Sequence, residues 1–168
     1  NHEAVRTLAE QGTQVIITVD CGINSIDEAE TAKQLGVELL ITDHHTPGET
    51  LPDAAAITHP LIGELFPEQY GPHLSGSTVA LKVAWALCQL ATEKRSGQQT
   101  SGSLGESAPP QREIKVSPEM REFLMQAVGL AALGAVADVM PLIDENRALV
   151  RFALERSLKT HAPPGLCE

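Results

Sequence analysis

Aromatic rings, cysteines and positive charge are all scarce in this 168-residue chain: aromatics make up 3%, cysteines number 3, and 12 Lys and Arg stand against 22 Asp and Glu. With few rings to fill it, the interior must be built from Val, Ile, Leu and Ala, which suits a parallel sheet covered by helices. Cys21, Cys88 and Cys167 are widely spaced and form no CxxC pair, which argues against a disulfide framework or a structural zinc site and fits a reducing cytoplasm. The formal net charge of −10 has the wrong sign for a domain that holds DNA by phosphate neutralisation alone, so any nucleic-acid groove must be local or lie elsewhere. No apolar run approaches the ~20 residues of a membrane span, and Asn1-His2-Glu3 has no signal-peptide features, so no membrane partner is expected. The chain opens inside a helix-like pattern, from which an excised piece of a longer protein is expected. No Gly-rich fingerprint follows the first strand, which argues against a nucleotide-binding Rossmann-like domain.

What is present is enough for one core, with 42% hydrophobic residues. Residues 3–11 place Ala4, Val5, Leu8 and Ala9 on one helical face, and residues 14–19 form a β-branched run that stops at Asp20. Ser25 and Glu28 read as a capping box, followed by an inward stripe of Ile26, Ala29, Ala32 and Leu35. Residues 37–42 are a second apolar strand ending at Asp43, so the unit is βαβ with parallel strands. A short third strand is expected over residues 54–58. Residues 78–91, apolar nearly all round, predict a helix buried in the core with Trp85 packed inside it. Residues 92–113 are Gly/Ser-rich and read as a flexible insertion. Ser117 as N-cap and Pro118 start a helix to about residue 133, and Asp144 starts a last one to about residue 159. The predicted class is α/β, a parallel β-sheet with helices on both faces.

The chemistry concentrates at strand ends. Asp20 and Asp43 each follow an apolar strand, and the crevice beyond the carboxyl ends of parallel strands is where ligands bind. His44 and His45 come directly after Asp43. Adjacent side chains in extended backbone point apart, so one imidazole can ligate a metal while the other reaches a substrate oxygen and Asp43 orients a ring. Asp138 sits in an apolar setting where a buried carboxylate needs compensation, which a metal supplies. Acids with imidazole suit manganese or magnesium, and two such ions ~3.5–4 Å apart make a phosphoryl-displacement site. Metal-dependent phosphoester hydrolysis is the reading these residues favour. Each also has an ordinary structural alternative, as a cap, an Asx-turn or a polar loop.

In order, Val19-Asp20-Cys21-Gly22-Ile23, Thr42-Asp43-His44-His45 and Gly134-Ala135-Val136-Ala137-Asp138-Val139-Met140-Pro141-Leu142 resemble three successive motifs of the RecJ branch of the DHH phosphoesterase superfamily. The segments around Leu74-Ser75-Gly76-Ser77-Thr78 and Glu145-Asn146-Arg147 look like further RecJ segments. The resemblance implies Asp20, His44 and Asp138 as metal ligands with Asp20 the bridge, His45 as the residue on the scissile phosphate, and Asp43 in support of the histidine pair. It implies residues 1–168 as the central part of a DHH domain, lacking the family's upstream Asp-x-Asp pair and its downstream domains, and so inactive alone. For the intact parent it implies 5′ to 3′ exonuclease action on single-stranded DNA in recombination and repair, two manganese or magnesium ions, and a single-strand-binding protein or a helicase as partner. The alternatives are a DHH phosphoesterase acting on short oligonucleotides or cyclic dinucleotides, a pyrophosphatase, and a non-catalytic DHH-fold scaffold. His59 stands where an Asn often precedes the Pro, and this departure is not expected to touch a proposed ligand.

Overall fold

A computed structural model of the chain describes residues 1–62, 73–96 and 116–162. Helix α1 (His2–Glu10) is capped by the Asn1 side chain, which accepts from the Glu3 amide. It is followed by β1 (Val15–Val19), α2 (Ile26–Gln34), β2 (Glu38–Thr42) and β3 (Ala56–Thr58). The three strands are parallel in the order β1-β2-β3, as the βαβ reading requires. Val19 pairs with Thr42, and Thr42 with Thr58, so the strands end level. The ladder runs one step further through Asp20 N–H to Thr42 O and Asp43 N–H to Thr58 O. Asp20 and Asp43 therefore stand side by side on one rim.

One face of this sheet carries the core: Val5, Ala29, Ala32, Val37, Leu39 and Ile41 are buried together, with Ala9, Ile16, Ala54 and Ile57 packed against them. Each fully buried Ile or Leu there contributes roughly 1.5–3 kcal/mol. The inward stripe of α2 is narrower than the sequence suggests, since Ala29 and Ala32 are buried but Ile26 and Leu35 are largely exposed. Nor does the capping box form. Ser25 makes no side-chain cap bond.

Among the described residues, helices do not cover both faces equally. α1 and α2 shield the core face. α3 (Gly76–Ser96) also reaches β1 and β2, and Val15, Ile17 and Val19 on the other face stay exposed.

The remaining helices are α4 (Pro118–Ala137), α5 (Asp144–Phe152), a wider π turn (Ala153–Ser157) and the short α6 (Leu158–Thr160). Ser117 caps α4 as expected, accepting from the Met120 amide, but the helix runs to Ala137, past the expected end. By length and composition α4 could cross a membrane, contrary to the reading from apolar runs; here it packs on α3, α5 and the π turn, with Gly129, Ala131, Ala132 and Ala135 buried. The expectation of a fully buried α3 is also corrected. Val79 and Leu81 near its start are buried, whereas Trp85, Leu87 and Leu90 are about half exposed, because α4 flanks one side only. Trp85 lines an open apolar cavity of about 850 Å³ between α3, α4 and α5. Of the insertion expected over 92–113, residues 92–96 complete α3 and 97–113 lie outside the described residues.

Candidate metal centre

The site is assembled from strand ends and one helix end. Asp20, the first residue after β1, adopts a left-handed backbone with φ 62°. A non-glycine residue there is uncommon, and Asp is one of the few that tolerate it. Its carboxylate lies against the first residue of α3, and a Cβ built on Gly76 would fall 2.1 Å from Asp20 Oδ1. Only glycine leaves room for it, and the positive end of the α3 dipole faces the acid.

Asp138 arrives from the far side of the fold. α4 presses closely on α3, with Ser77 Oγ donating to Ala131 O at 3.1 Å and a Cβ on Gly134 calculated to lie 2.3 Å from that same Oγ. Asp138 caps the C-terminus of α4, with its amide bonded to Gly134 O at 2.9 Å. The next residue, Val139, takes φ 55° so that Val139 N–H and Met140 N–H can return to Val136 O and Ala135 O. This is a Schellman closure with a β-branched residue where glycine is usual. Behind it the buried Asn146 donates to Pro141 O at 3.1 Å and His73 O at 2.7 Å, tying the turn after Asp138 to the approach to α3.

Between the two acids sits His44. Its side chain is 9% exposed, and Nε2 lies 3.0 Å from Asp20 Oδ1 and 3.4 Å from Asp138 Oδ2. That buried nitrogen has no hydrogen-bond partner. Asp138 itself is less buried than its apolar flanks suggest, with a side chain 41% exposed.

His45 lies beside His44, its side chain 57% exposed and the two ring centroids 4.5 Å apart. Its Nδ1 meets Asp43 Oδ1 at 2.7 Å. Asp43, 1% exposed, also accepts from the amides of Ile23 at 2.9 Å, His44 at 2.8 Å and His45 at 3.3 Å. Burial pushes its carboxyl pKa up, but the bonds donated by Ile23, the His45 ring and the two histidine amides outweigh it and the net shift is downward. The hydrogen bond to Asp43 raises the His45 pKa against desolvation, helped by the charges of Asp43, Asp20 and Asp138. Asp43 thus fixes the orientation of the His45 ring through Nδ1.

Of the five residues singled out in the sequence, all lie on this rim. Asp20, His44 and Asp138 converge, Asp43 and His45 form the adjoining pair, and donor atoms of Asp20, His44 and His45 lie within 4.8 Å of one another. A buried imidazole nitrogen without a hydrogen bond, facing two carboxylate oxygens, has the donor chemistry of a divalent cation site. Sequence reading missed Gly76, Gly134 and the bridging role of Asn146. It also set His59 apart from the site, whereas the His59 ring meets the His45 carbonyl oxygen at 2.7 Å.

Residues 1–107 match the family model described as DHH family, N-terminal domain. The single-stranded-DNA-specific exonuclease RecJ of Bacillus subtilis is 38% identical over 162 residues, covering 96% of this chain but 16% of that protein. The Escherichia coli RecJ is 36% identical over 165 residues, covering 98% and 25%. A crystal structure of exonuclease RecJ bound to manganese superposes with a TM-score of 0.61 at 33% identity, over 92% of this chain and 31% of that one. The crystal structure of RecJ from Thermus thermophilus in complex with Mn2+ gives 0.62 at 33% identity, over 93% and 19%. The chain thus spans between 16% and 25% of the length of these two curated relatives.

Proposed function

The chain belongs to the DHH family, and from that premise we propose that residues 1–168 form the central part of a DHH phosphoesterase domain in which Asp20, His44 and Asp138 hold divalent cations, manganese or magnesium. The observation that carries this reading is the convergence of two acids, from a strand end and a helix end, on the buried and unbonded Nε2 of His44. Divalent cations held by these residues would supply Lewis acidity toward a phosphoryl oxygen and a more acidic water. The chain's own residues supply the frame: Asp20 is the proposed bridging ligand, and Asp43 holds the His45 ring by Nδ1, leaving Nε2 as the nitrogen to donate to a phosphate oxygen.

Similarity to the RecJ exonucleases extends the proposal to the intact parent protein, which degrades single-stranded DNA from its 5′ end in the cytoplasm during recombination and repair. A single-strand-binding protein or a helicase is its proposed partner. The test is cleavage by that parent protein of single strands labelled at either end, with and without manganese. Early release of the 5′ label only in the presence of metal is expected; metal-independent cleavage, or early release of the 3′ label, would refute the corresponding part.

The same assay separates the roles of the two histidines. His45→Ala in the parent should retain its manganese while kcat falls about 10²-fold or more, because a group on the phosphate acts mainly on the transition state. Loss of the metal with the His45 side chain would move that residue into the ligand set.

A further inference from the structure

Each of the three strands places a polar side chain in the first position after its last residue: Asp20 after β1, Asp43 after β2 and His59 after β3. The first two belong to the centre described above. We propose that the third, His59, is a positioning residue for His45, holding the peptide from which the phosphate-facing imidazole projects; this rests on the functional reading given above.

His59 is 2% exposed and takes no place among the cation-facing groups. Its Nε2 lies 2.7 Å from the His45 carbonyl oxygen, and its Nδ1 lies 3.1 Å from the Leu61 amide nitrogen. These two neighbours assign the ring. A carbonyl only accepts, so Nε2 carries the hydrogen, and an amide only donates, so Nδ1 offers its lone pair. The neutral Nε2–H tautomer alone satisfies both. Pro60, itself buried, follows and biases His59 towards the extended backbone that aims its ring along the rim.

The consequence lies at residue 45. Asp43 takes the His45 amide and ring Nδ1, and His59 takes the His45 carbonyl, so the residue is held at both ends of its backbone and at its ring. This matters because the side chain is more than half exposed and the chain beyond it, residues 46–53, has no helix or strand to fix it. Without the carbonyl bond the peptide can rotate, and the ring nitrogen that faces the phosphate moves with it.

The experiment uses the intact parent protein. His59→Leu removes the donor at similar bulk, and His59→Gln restores an N–H at the depth of Nε2. With manganese and single-stranded DNA, His59→Leu should lower kcat about 10- to 100-fold, the usual cost of losing an orienting partner, with metal content and KM unchanged. His59→Gln should recover most of the loss. Wild-type kcat in His59→Leu, or an equal loss in both variants, overturns the proposal, as does a tenfold loss in His59→Gln if the Leu variant does not fold. A wild-type parent that cleaves nothing would instead defeat the functional reading, and His59 would then be judged on its ring. Nitrogen NMR at neutral pH should show protonated Nε2 and bare Nδ1, and an Nδ1–H or doubly protonated ring overturns the assignment.

Discussion

Asp20→Ala in the intact parent protein should reduce turnover of single-stranded DNA by about 10³-fold or more, with bound manganese falling in parallel. The size follows from the position of the carboxylate. It is the acid nearest His44 Nε2, at 3.0 Å against 3.4 Å for Asp138, and in the proposed site it is the ligand shared by the two ions. Metal polarisation supplies several kcal/mol of transition-state stabilisation, and every ~1.4 kcal/mol lost is a tenfold loss in rate. The fold should survive, because the Asp20 side chain is 54% exposed and makes no packing contribution to the core around Ile41. Metal content by elemental analysis, together with single-turnover cleavage, decides the matter. Asp20→Ala digesting DNA at the wild-type rate would show that the carboxylate is not a ligand.

Gly76→Ala should be nearly as damaging although residue 76 carries no chemistry. The added methyl would sit 2.1 Å from Asp20 Oδ1, 2.4 Å from Cγ and 2.6 Å from Cβ, so the clash is with the whole side chain and not with a mobile tip. Either Asp20 swings out of line with His44 or the first turn of α3 retreats. A displacement of about 1 Å in such a site costs on the order of 10²-fold in rate, and that loss is expected here, with weakened manganese binding. The sign is informative. At a helix position free of clashes, Gly→Ala normally stabilises by roughly 0.4–1 kcal/mol through the unfolded chain. A variant that is both more stable and fully active would mean that Asp20 does not need its place against α3.

Much of this was legible in the sequence, for identifiable reasons. The apolar runs before Asp20 and Asp43 end abruptly, and two parallel strands that end level must place their next residues together. The adjacent His44 and His45 were expected to point apart, and one is buried and the other exposed, but their rings remain in contact with centroids 4.5 Å apart. Asp138 is different. Its approach depends on Gly134 nesting on Ser77, a contact between residues 57 positions apart that leaves no periodic trace, and before the structure only its apolar flanks and the family motifs pointed to it. The α3 reading failed because all-round apolarity was taken as all-round burial, while the described fold packs α4 against one side and leaves Trp85, Leu87 and Leu90 outward. His59 stood out only as a departure from the family, directly after the expected third strand, and its bond to the His45 carbonyl, 14 positions away, leaves no trace in the sequence.

The turn that presents Asp138 holds Val139 in a left-handed conformation while leaving it 87% exposed. That conformation costs an L-residue roughly 1–2 kcal/mol, and an exposed side chain recovers almost nothing by packing. The active rim is therefore built partly on backbone that would relax if released, and local opening should begin there and not in the α1–α2 core. In native-state hydrogen exchange the amides of Val139 and Met140 should lose protection well before those of Leu39 and Ile41 at the centre of the sheet. Equal protection would show that Asn146, gripping Pro141 from behind, more than balances the strain. Unequal protection would mean that aiming Asp138 at His44 carries the strain of the hydrophobic residue that follows it in the chain.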